Sequence, residues 1–251
     1  MSAPFRLKPR EHLADPVRKR ALNAQLFETV APRYDAITRG LSFGRDRAWK
    51  DRLIAALPPF PAPDCLDLAC GTGDLAFRLA RRYPAGRVLG LDLTPAMIAL
   101  ARARSGRDPR VRFEVGDLGR TGLPEASFDV VTGGYALRNA GDLDEAIAEA
   151  FRVLRPGGVA AFLDFSKPPG RAAQALERAL LKFWGGVWGL ALHGNPDVYG
   201  YIADSLAVHP DRRALARRFA AAGFEARMSR TFFFGVVEIS LLRKPAETER
   251  A

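Results

Sequence analysis

Apolar residues follow two different periodicities along the chain. Short continuous apolar runs are typical of buried strands, and apolar residues that recur every three or four positions are typical of amphipathic helices. The strand-like runs lie at Cys65–Ala69, Arg87–Leu91, Val111–Val115, Phe128–Thr132 and Val159–Phe165. The helical patterns between them cover Asp74–Arg82, Pro95–Arg104 and Leu143–Leu154. This alternation predicts βαβ units, and therefore a mostly parallel α/β sheet with helices on both faces.

The two ends of the chain depart from this alternation. Helical patterns over Glu11–Val30 and Arg45–Leu57 come before the first strand. After a predicted helix at Asp211–Ala222, two strand-like runs follow in close succession, at Glu225–Arg230 and Phe232–Leu242. Their short separation predicts a C-terminal antiparallel hairpin, which brings the expected sheet to seven strands.

Residues 166–206 fit neither periodicity and form an insert rich in Leu, Trp and Gly after the fifth strand. Ligands of parallel α/β sheets bind at the carboxyl ends of the strands, so an insert at this edge predicts a helical lid over the site. The insert either covers an apolar ligand or touches a membrane surface, or it packs on the sheet as an ordinary amphipathic helix. We divide the chain into N-terminal helices at 1–60 and a sheet domain at 61–251.

Composition narrows the class of protein. Hydrophobic residues make up 48% and charged residues 26% of the chain, the proportions of globular domains. No window holds the roughly 18 uncharged apolar residues that a membrane span needs, and the N-terminal residues contain no apolar signal segment. These patterns favour a cytoplasmic protein, with peripheral contact at the inner face of the membrane as an open alternative. The sequence leaves open whether the protein is a monomer or a homodimer.

The distribution of charge and of metal-ligating residues argues against nucleic-acid binding and metal binding. The formal net charge is +10, but the arginines lie on separate predicted helices, for example Arg81–Arg82 and Arg217–Arg218. A continuous basic track for nucleic acid is therefore not predicted. The cysteines, Cys65 and Cys70, and three scattered histidines have no metal-ligand spacing, so no metal site is expected.

The most informative segment follows the first predicted strand and reads Asp67-Leu68-Ala69-Cys70-Gly71-Thr72-Gly73-Asp74. Gly71 and Gly73 allow a tight turn that brings a ligand against main-chain N–H groups at the start of a helix. Asp92, about 20 residues further on at the end of the second strand, is placed to bind both hydroxyls of a ribose. This pattern alone also fits a dinucleotide-dependent oxidoreductase.

Two further acids favour S-adenosylmethionine over a dinucleotide. Asp67 lies where a pyrophosphate would be repelled and the ammonium group of a methionine moiety would be attracted. After the third strand, the Asp117 carboxylate can accept from an adenine amino group, and Leu118 can pack on the ring. Acids after three successive strands therefore predict a nucleoside that carries a positive charge. A catalytically silent S-adenosylmethionine-binding module is the other alternative.

Longer motifs extend nearly from end to end. They are Phe27–Asp35, Leu41–Gly44, Arg47–Lys50, Ala136–Asn139, Arg152–Gly158, Leu163–Pro168, Tyr199–Leu206 and Ala222–Phe224. The turn at 152–158 is common to many methyltransferases, whereas Leu-Arg-Asn at 137–139 and Asp-Phe-Ser-Lys-Pro at 164–168 are more particular to one methyltransferase family. On these motifs the chain resembles the ubiquinone/menaquinone biosynthesis C-methyltransferase family.

The resemblance implies a fold, a reaction and a cofactor. The fold is the Rossmann-like class I S-adenosylmethionine-dependent methyltransferase fold, with residues 1–60 as part of the acceptor site. The reaction is C-methylation of a polyprenylated quinol ring in menaquinone biosynthesis, from demethylmenaquinol to menaquinol. The benzoquinol precursor of ubiquinone, or another lipophilic small molecule, stays open as the acceptor. With the physical argument added, the expected cofactor contacts are Asp67, Gly71, Thr72, Gly73, Asp92, Leu93, Asp117 and Leu118.

The implied reaction also needs catalytic groups. A quinol ring carbon is a weak nucleophile until a ring hydroxyl loses its proton, so the site needs a base or a positive group that stabilises the oxyanion. Arg138 is expected to stabilise this oxyanion, and Asn139 to orient a ring oxygen. The candidates to hold a water that takes up the proton are Tyr34, Asp35 and Asp164.

The chain departs from the family pattern at four positions. Thr38 stands where the family commonly has Asn, Asp46 where it has His, and Asp164 where it has Glu. Gly134 replaces a Ser that the family uses near the cofactor after the fourth strand, so that side-chain contact is not expected here.

Overall fold

The computed structural model describes residues 9–106 and 108–246. Its strands are β1 (Asp64–Leu68), β2 (Arg87–Asp92), β3 (Val111–Val115), β4 (Phe128–Gly134), β5 (Leu154–Phe165), β6 (Glu225–Phe232) and β7 (Val237–Arg243). They form one sheet in the order β3-β2-β1-β4-β5-β7-β6. The pairs among β1 to β5 are parallel, whereas β7 pairs antiparallel with β5 and with β6. The predicted mostly parallel sheet with a C-terminal hairpin is therefore confirmed.

Helices lie before the sheet, on both of its faces and in the insert. They are α1 (Pro9–His12), α2 (Pro16–Val30), α3 (Tyr34–Leu41), α4 (Asp46–Ala56), α5 (Asp74–Arg82), α6 (Pro95–Ser105), α7 (Leu143–Val153), α8 (Arg171–His193), α9 (Asp197–Val208) and α10 (Arg212–Ala221). One face of the sheet packs on α4, α5 and α6, and the other on α7 and α10. Side chains alternate along β1, so Cys65 joins the first core and Leu66 the second.

The N-terminal helical prediction is wrong in one respect, because Glu11–Val30 is not a single helix. Asp15 accepts the N–H of Arg18 at 2.8 Å and caps a new helix that begins at Pro16. An acceptor side chain followed by proline is a strong signal for a helix start. The structure also contains α3, which the apolar pattern did not predict.

The predicted regions 1–60 and 61–251 include residues 1–8, 107 and 247–251, which lie outside the described residues.

The insert consists mainly of α8 and α9, which pack closely against each other. A Cβ atom on Gly185 would lie 2.6 Å from the carbonyl oxygen of Tyr199, and one on Gly189 would lie 2.5 Å from that of Asn195. Only glycine permits this approach. Val198 and Tyr201 of α9 share an apolar cluster with residues of α2. Within the described part of the chain, no helix is both long and apolar enough to cross a bilayer.

Candidate active site

A cleft at the carboxyl ends of β1, β2 and β4 contains part of the predicted cofactor set. Gly71, Asp92, Leu93 and Leu118 line it. Gly71 has a φ of +54°, and a Cβ there would lie 3.6 Å from the Tyr34 ring. The positive φ favours glycine here, since a Cβ would meet the ring only at an ordinary contact distance.

Asp92 presents a buried carboxylate to this cleft. One oxygen accepts the N–H of Gly71 at 2.8 Å, and the other accepts the N–H of Thr94 at 2.9 Å. Burial raises the pKa of Asp92, and the two backbone hydrogen bonds oppose that shift. Each carboxylate oxygen keeps acceptor capacity, so the group can still receive the two hydroxyls of a ribose. Leu93, Met97 and Leu118 add apolar surface that suits a purine ring.

Asp67 lies beneath the cleft and does not line it. Its side chain is fully buried and accepts a hydrogen bond from the Thr132 hydroxyl at 2.8 Å. Burial raises the pKa of Asp67 to about 7. Its second carboxylate oxygen has no hydrogen-bond partner within the described residues, and direct contact with an ammonium group stays a prediction.

Thr72, Gly73 and Asp35 do not line the cleft either. The Thr72 hydroxyl donates to Asp35 at 2.7 Å, and Asp35 forms an ion pair of 2.7 Å with Arg104. Gly73 starts helix α5, and a Cβ there would meet the Phe113 ring at 2.7 Å. These residues hold the outer side of the glycine turn.

The N-terminal part of the chain forms an ion pair with Asp117. Its carboxylate forms an ion pair with the Arg20 guanidinium on α2 and accepts the N–H of Gly119 at 2.8 Å. Helix α2 also brings Asn23 and Phe27 to the cleft. The N-terminal helices therefore close one side of the cofactor site.

A second and larger cavity, of about 510 Å³, adjoins the cofactor cleft. Four residues line both: Phe27, Tyr34, Tyr135 and Asn139. Most of the rest of its wall comes from α2, α3, α8, α9 and the β6–β7 turn, and it is mostly aliphatic and aromatic. Such a wall suits an apolar molecule with a reacting end at the shared residues.

Arg138 is a buried cation in the wall of this cavity and is 4% exposed. Its guanidinium donates to the Ser205 hydroxyl at 2.5 Å and lies 3.7 Å from the Asp164 carboxylate. It also lies over the rings of Phe165 and Tyr201, at 5.3 and 5.7 Å from their centroids. These contacts fix a charge where an apolar wall surrounds it, and a fixed charge of this kind stabilises an anion strongly.

Asp164 lies behind Arg138 rather than in the cavity wall. It accepts the backbone N–H of Arg138 at 3.0 Å and that of Phe165 at 2.8 Å. Burial raises the pKa of Asp164, and the nearby Arg138 guanidinium opposes this shift. These hydrogen bonds tie Asp164 to the backbone beside Arg138, and its role in holding a water stays a prediction.

Asn139 is held by three elements. Its side-chain amide donates to the Tyr135 carbonyl at 2.7 Å, and its side-chain oxygen accepts from the Tyr201 hydroxyl at 3.1 Å. The Asn23 amide donates to the Asn139 carbonyl at 2.5 Å. Tyr34 lines both the cofactor cleft and the large cavity, and burial raises its pKa to about 12.

The residues predicted from the sequence do not include Tyr135 and Glu177, which both line the large cavity. Tyr135, at φ +57°, directly precedes the Ala136–Asn139 motif, and its position after β4 was the available signal. Glu177 on α8 is 6% exposed, and neither carboxylate oxygen has a hydrogen-bond partner within residues 9–106 and 108–246. Nothing local in the sequence distinguishes Glu177 from a surface glutamate.

Solved structures titled as S-adenosylmethionine-dependent methyltransferases share this architecture. An S-adenosylmethionine-dependent methyltransferase from Thermotoga maritima matches with a TM-score of 0.62 and 16% identity, over 88% of this chain and 99% of that one. One from Mesorhizobium loti matches with a TM-score of 0.57 and 21% identity, over 77% and 96%. At these identities the likeness shows the fold. In the described residues, no group of three or more His, Cys, Asp or Glu side chains could hold a metal ion.

The fold and the cleft thus define a class I S-adenosylmethionine-dependent methyltransferase, and the Asp92 carboxylate, the glycine turn and the apolar residues fit that cofactor. The profile of the ubiE/COQ5 methyltransferase family matches residues 17–244. The chain belongs to this family.

Relatives of the chain are named for quinone methylation. Demethylmenaquinone methyltransferase of Thermus thermophilus is 38% identical over 225 residues, which are 88% of this chain and 100% of the relative. The 2-phytyl-1,4-naphtoquinone methyltransferase of Thermosynechococcus vestitus is 38% identical over 87% of this chain and 97% of the relative. The ubiquinone/menaquinone biosynthesis C-methyltransferase UbiE of Dinoroseobacter shibae is 35% identical over 88% and 90%.

Proposed function

We propose that this methyltransferase transfers a methyl group to a ring carbon of a polyprenylated naphthoquinol, converting demethylmenaquinol to menaquinol. The observation that carries the proposal is the apolar cavity of about 510 Å³ that meets the cofactor cleft at four shared residues. A quinol ring fits at the shared residues beside Arg138, and the tail fits the apolar remainder. The relatives named demethylmenaquinone methyltransferase support this acceptor.

The two accessory regions contribute to the acceptor site in this proposal. Residues 1–60 supply Leu26, Tyr34 and Phe43 to the cavity wall, and the insert supplies Trp184 and Tyr201. Both regions cover the carboxyl edge of the parallel strands, so together they exclude water from the acceptor ring.

Bound S-adenosylmethionine supplies an electrophilic methyl group on a sulfonium. Arg138 then serves to hold a ring oxygen of the acceptor as an oxyanion, which raises electron density on the neighbouring ring carbon. Asn139 orients the ring towards the cofactor cleft through its side-chain amide. The methyl group would pass from sulfur to the ring carbon, so the carbon–sulfur bond would break and S-adenosylhomocysteine would be the leaving group. The ring carbon would then lose its own proton to water, and one proton leaves per methyl group transferred.

The cofactor contacts follow from the same geometry. Gly71, Asp92, Leu93 and Leu118 touch the cofactor, with Asp92 on the ribose hydroxyls. Asp117 is held by Arg20 and does not itself line the cleft, but we keep it as the proposed acceptor for the adenine amino group because it lies next to Leu118. We assign Asp67, Thr72 and Gly73 to support of the glycine turn.

A paired assay on purified protein tests the proposal. Calorimetry measures binding of S-adenosylhomocysteine, and labelled S-adenosylmethionine measures methyl transfer to reduced demethylmenaquinone, with the benzoquinol precursor of ubiquinone as comparison. We expect binding together with transfer to the naphthoquinol. Binding with transfer only to the benzoquinol would show that the benzoquinol, and not the naphthoquinol, is the acceptor. Binding without transfer to either quinol would refute the proposal.

A further inference from the structure

One face of helix α8 exposes a stripe of large apolar side chains. The side chains are spaced four and three positions apart, which places them on one face over about 20 Å of helix. Their exposed fractions lie between 43% and 69%. The five residues of the stripe are Leu176, Leu180, Phe183, Val187 and Leu190. An exposed apolar surface of this extent marks an interaction site.

Three phenylalanines on two separate turns have a left-handed backbone. The φ angles are +51° at Phe43, +52° at Phe233 and +58° at Phe234, a region that bulky residues rarely occupy. Phe43 is 64% exposed and Phe234 is 94% exposed, so much of each side chain stays accessible in spite of the strained backbone. Backbone strain of this kind is typical of functional segments.

The turns and the stripe surround the opening of the acceptor cavity. The Phe43 ring lies 5.6 Å from that of Trp184 on α8 and 6.4 Å from that of Phe233. Phe43, Phe233, Leu180 and Phe183 also line the cavity. We use the name apolar rim for the stripe together with Phe43, Phe233 and Phe234. A second copy of the chain seated on this rim would close the cavity to the acceptor. A bilayer would cover the same opening but could itself deliver a lipid-soluble molecule, so the geometry favours a lipid surface as the occupant.

Positive charge borders the apolar rim. The Arg45 guanidinium lies 5.8 Å from the Phe233 ring centroid. Arg52 and Arg230 lie 4.9 and 5.5 Å from the Phe232 ring centroid. The chain carries a formal net charge of +10. Apolar side chains beside arginines match a bilayer whose headgroups are anionic.

We propose that the apolar rim inserts into one leaflet of an anionic lipid bilayer and that the acceptor enters the cavity from that leaflet. Insertion follows from the exposure, the strained turns and the charge. The entry of the acceptor rests on the proposed function, because it needs a lipid-soluble tail.

Vesicle binding tests insertion separately from catalysis. The protein is sedimented with large vesicles of phosphatidylglycerol and phosphatidylcholine. The test variant combines Val187→Ser, Leu190→Ser and Phe234→Asn, because these residues belong to the rim but do not line the cavity. The control variant combines Val17→Ser and Val208→Ser, which are 70% and 57% exposed and lie outside the rim.

We expect the rim variant to partition onto the vesicles at least about tenfold more weakly than the wild type, because three apolar side chains no longer insert. The control should partition like the wild type, and both variants should bind S-adenosylhomocysteine normally. Wild-type binding should also weaken when phosphatidylglycerol is omitted. Equal partitioning of the rim variant and the wild type would refute insertion.

Two further measurements separate the alternatives. Sedimentation velocity tests whether the rim is a self-association surface. A wild type that is dimeric and does not bind vesicles, together with a rim variant that is monomeric, would overturn the proposal. Vesicle binding by a protein that methylates no quinol would refute the proposed function and leave insertion standing. With the quinol embedded in vesicles, the rim variant should lose activity, and with the quinol in detergent micelles it should retain it.

Discussion

The Tyr135 hydroxyl donates a hydrogen bond of 2.9 Å to the Asp46 carboxylate, although the two residues are 89 positions apart. Lys50 holds the other carboxylate oxygen of Asp46 at 2.8 Å, and Lys50 also contacts Asp74 at 3.0 Å. Tyr135 lines both the cofactor cleft and the acceptor cavity. The pair therefore fixes an aromatic ring at the boundary between the two ligands.

The first prediction concerns this pair. Tyr135→Phe removes the hydrogen bond but leaves Asp46 with Lys50, so we expect a loss of about 1 kcal/mol in the free energy of unfolding. Because the ring is less firmly held, kcat/KM for the quinol should fall several-fold. Urea unfolding and the methyl-transfer assay measure the two effects.

Tyr83→Phe is the matched control for Tyr135→Phe. Tyr83 is also buried, and its hydroxyl donates to the Pro58 carbonyl at 2.7 Å, but it lines neither the cleft nor the acceptor cavity. It should show a similar loss of stability with unchanged kcat/KM. Equal kcat/KM in both variants would show that the Tyr135 hydrogen bond is structural only.

The fold could be predicted because its signals are local. The strand β3 has the predicted bounds, and so does helix α5, since apolar periodicity and turn residues act over a few positions. The position of Asp92 at the end of β2 followed from the same reasoning. The Arg20–Asp117 ion pair joins positions almost 100 residues apart, and its formation depends on how the N-terminal helices fold back. No local pattern specifies such a contact, and the burial of Glu177 is likewise defined only by its neighbours in space.

The second prediction concerns Arg138. Arg138→Ala should lower kcat/KM for the quinol about 100-fold, because the oxyanion loses its fixed positive charge. The affinity for S-adenosylhomocysteine should stay within a factor of about three, since Arg138 does not line the cofactor cleft. Radiolabel transfer and calorimetry measure the two quantities.

Arg138 also pairs with the buried Asp164, so Arg138→Ala alone can lower stability. Arg138→Lys retains a charge and should fold normally, with activity between the alanine variant and the wild type. Arg218→Ala, which removes an exposed ion pair with Asp144, is the control for general loss of arginine. Near-normal turnover of a folded Arg138→Ala protein would remove Arg138 from the mechanism.

The third prediction compares two buried acids near the glycine turn. Asp92→Asn replaces a charged acceptor in the cofactor cleft and should weaken S-adenosylhomocysteine binding roughly tenfold or more. Asp67→Asn keeps an oxygen that can accept from Thr132 and lies outside the cleft, so binding should change less than about threefold. Calorimetry on both variants measures the difference. If Asp67→Asn weakens binding as much as Asp92→Asn does, Asp67 is an ammonium ligand, as the sequence pattern suggested.

The last prediction uses the pH dependence of stability at Glu177. Burial raises the pKa of this carboxyl group from an ordinary value of 4.5 to about 7, and the positive charge of Lys167 opposes the shift. Between these two values the folded protein binds more protons than the unfolded chain at this site. Stability from this group therefore falls as pH rises through that window, and the penalty is complete above about pH 7.

Glu177→Gln removes the ionisable group and should remove that penalty. We expect the variant and the wild type to have nearly the same Tm at pH 4.5, and the variant to have a higher Tm at pH 8. Glu28→Gln, at an exposed position on α2, is the matched control and should leave the difference between the two pH values unchanged. Thermal unfolding followed by circular dichroism at pH 4.5, 6 and 8 gives the comparison. A Tm difference between Glu177→Gln and wild type that does not grow with pH would mean that a partner compensates the Glu177 charge in solution.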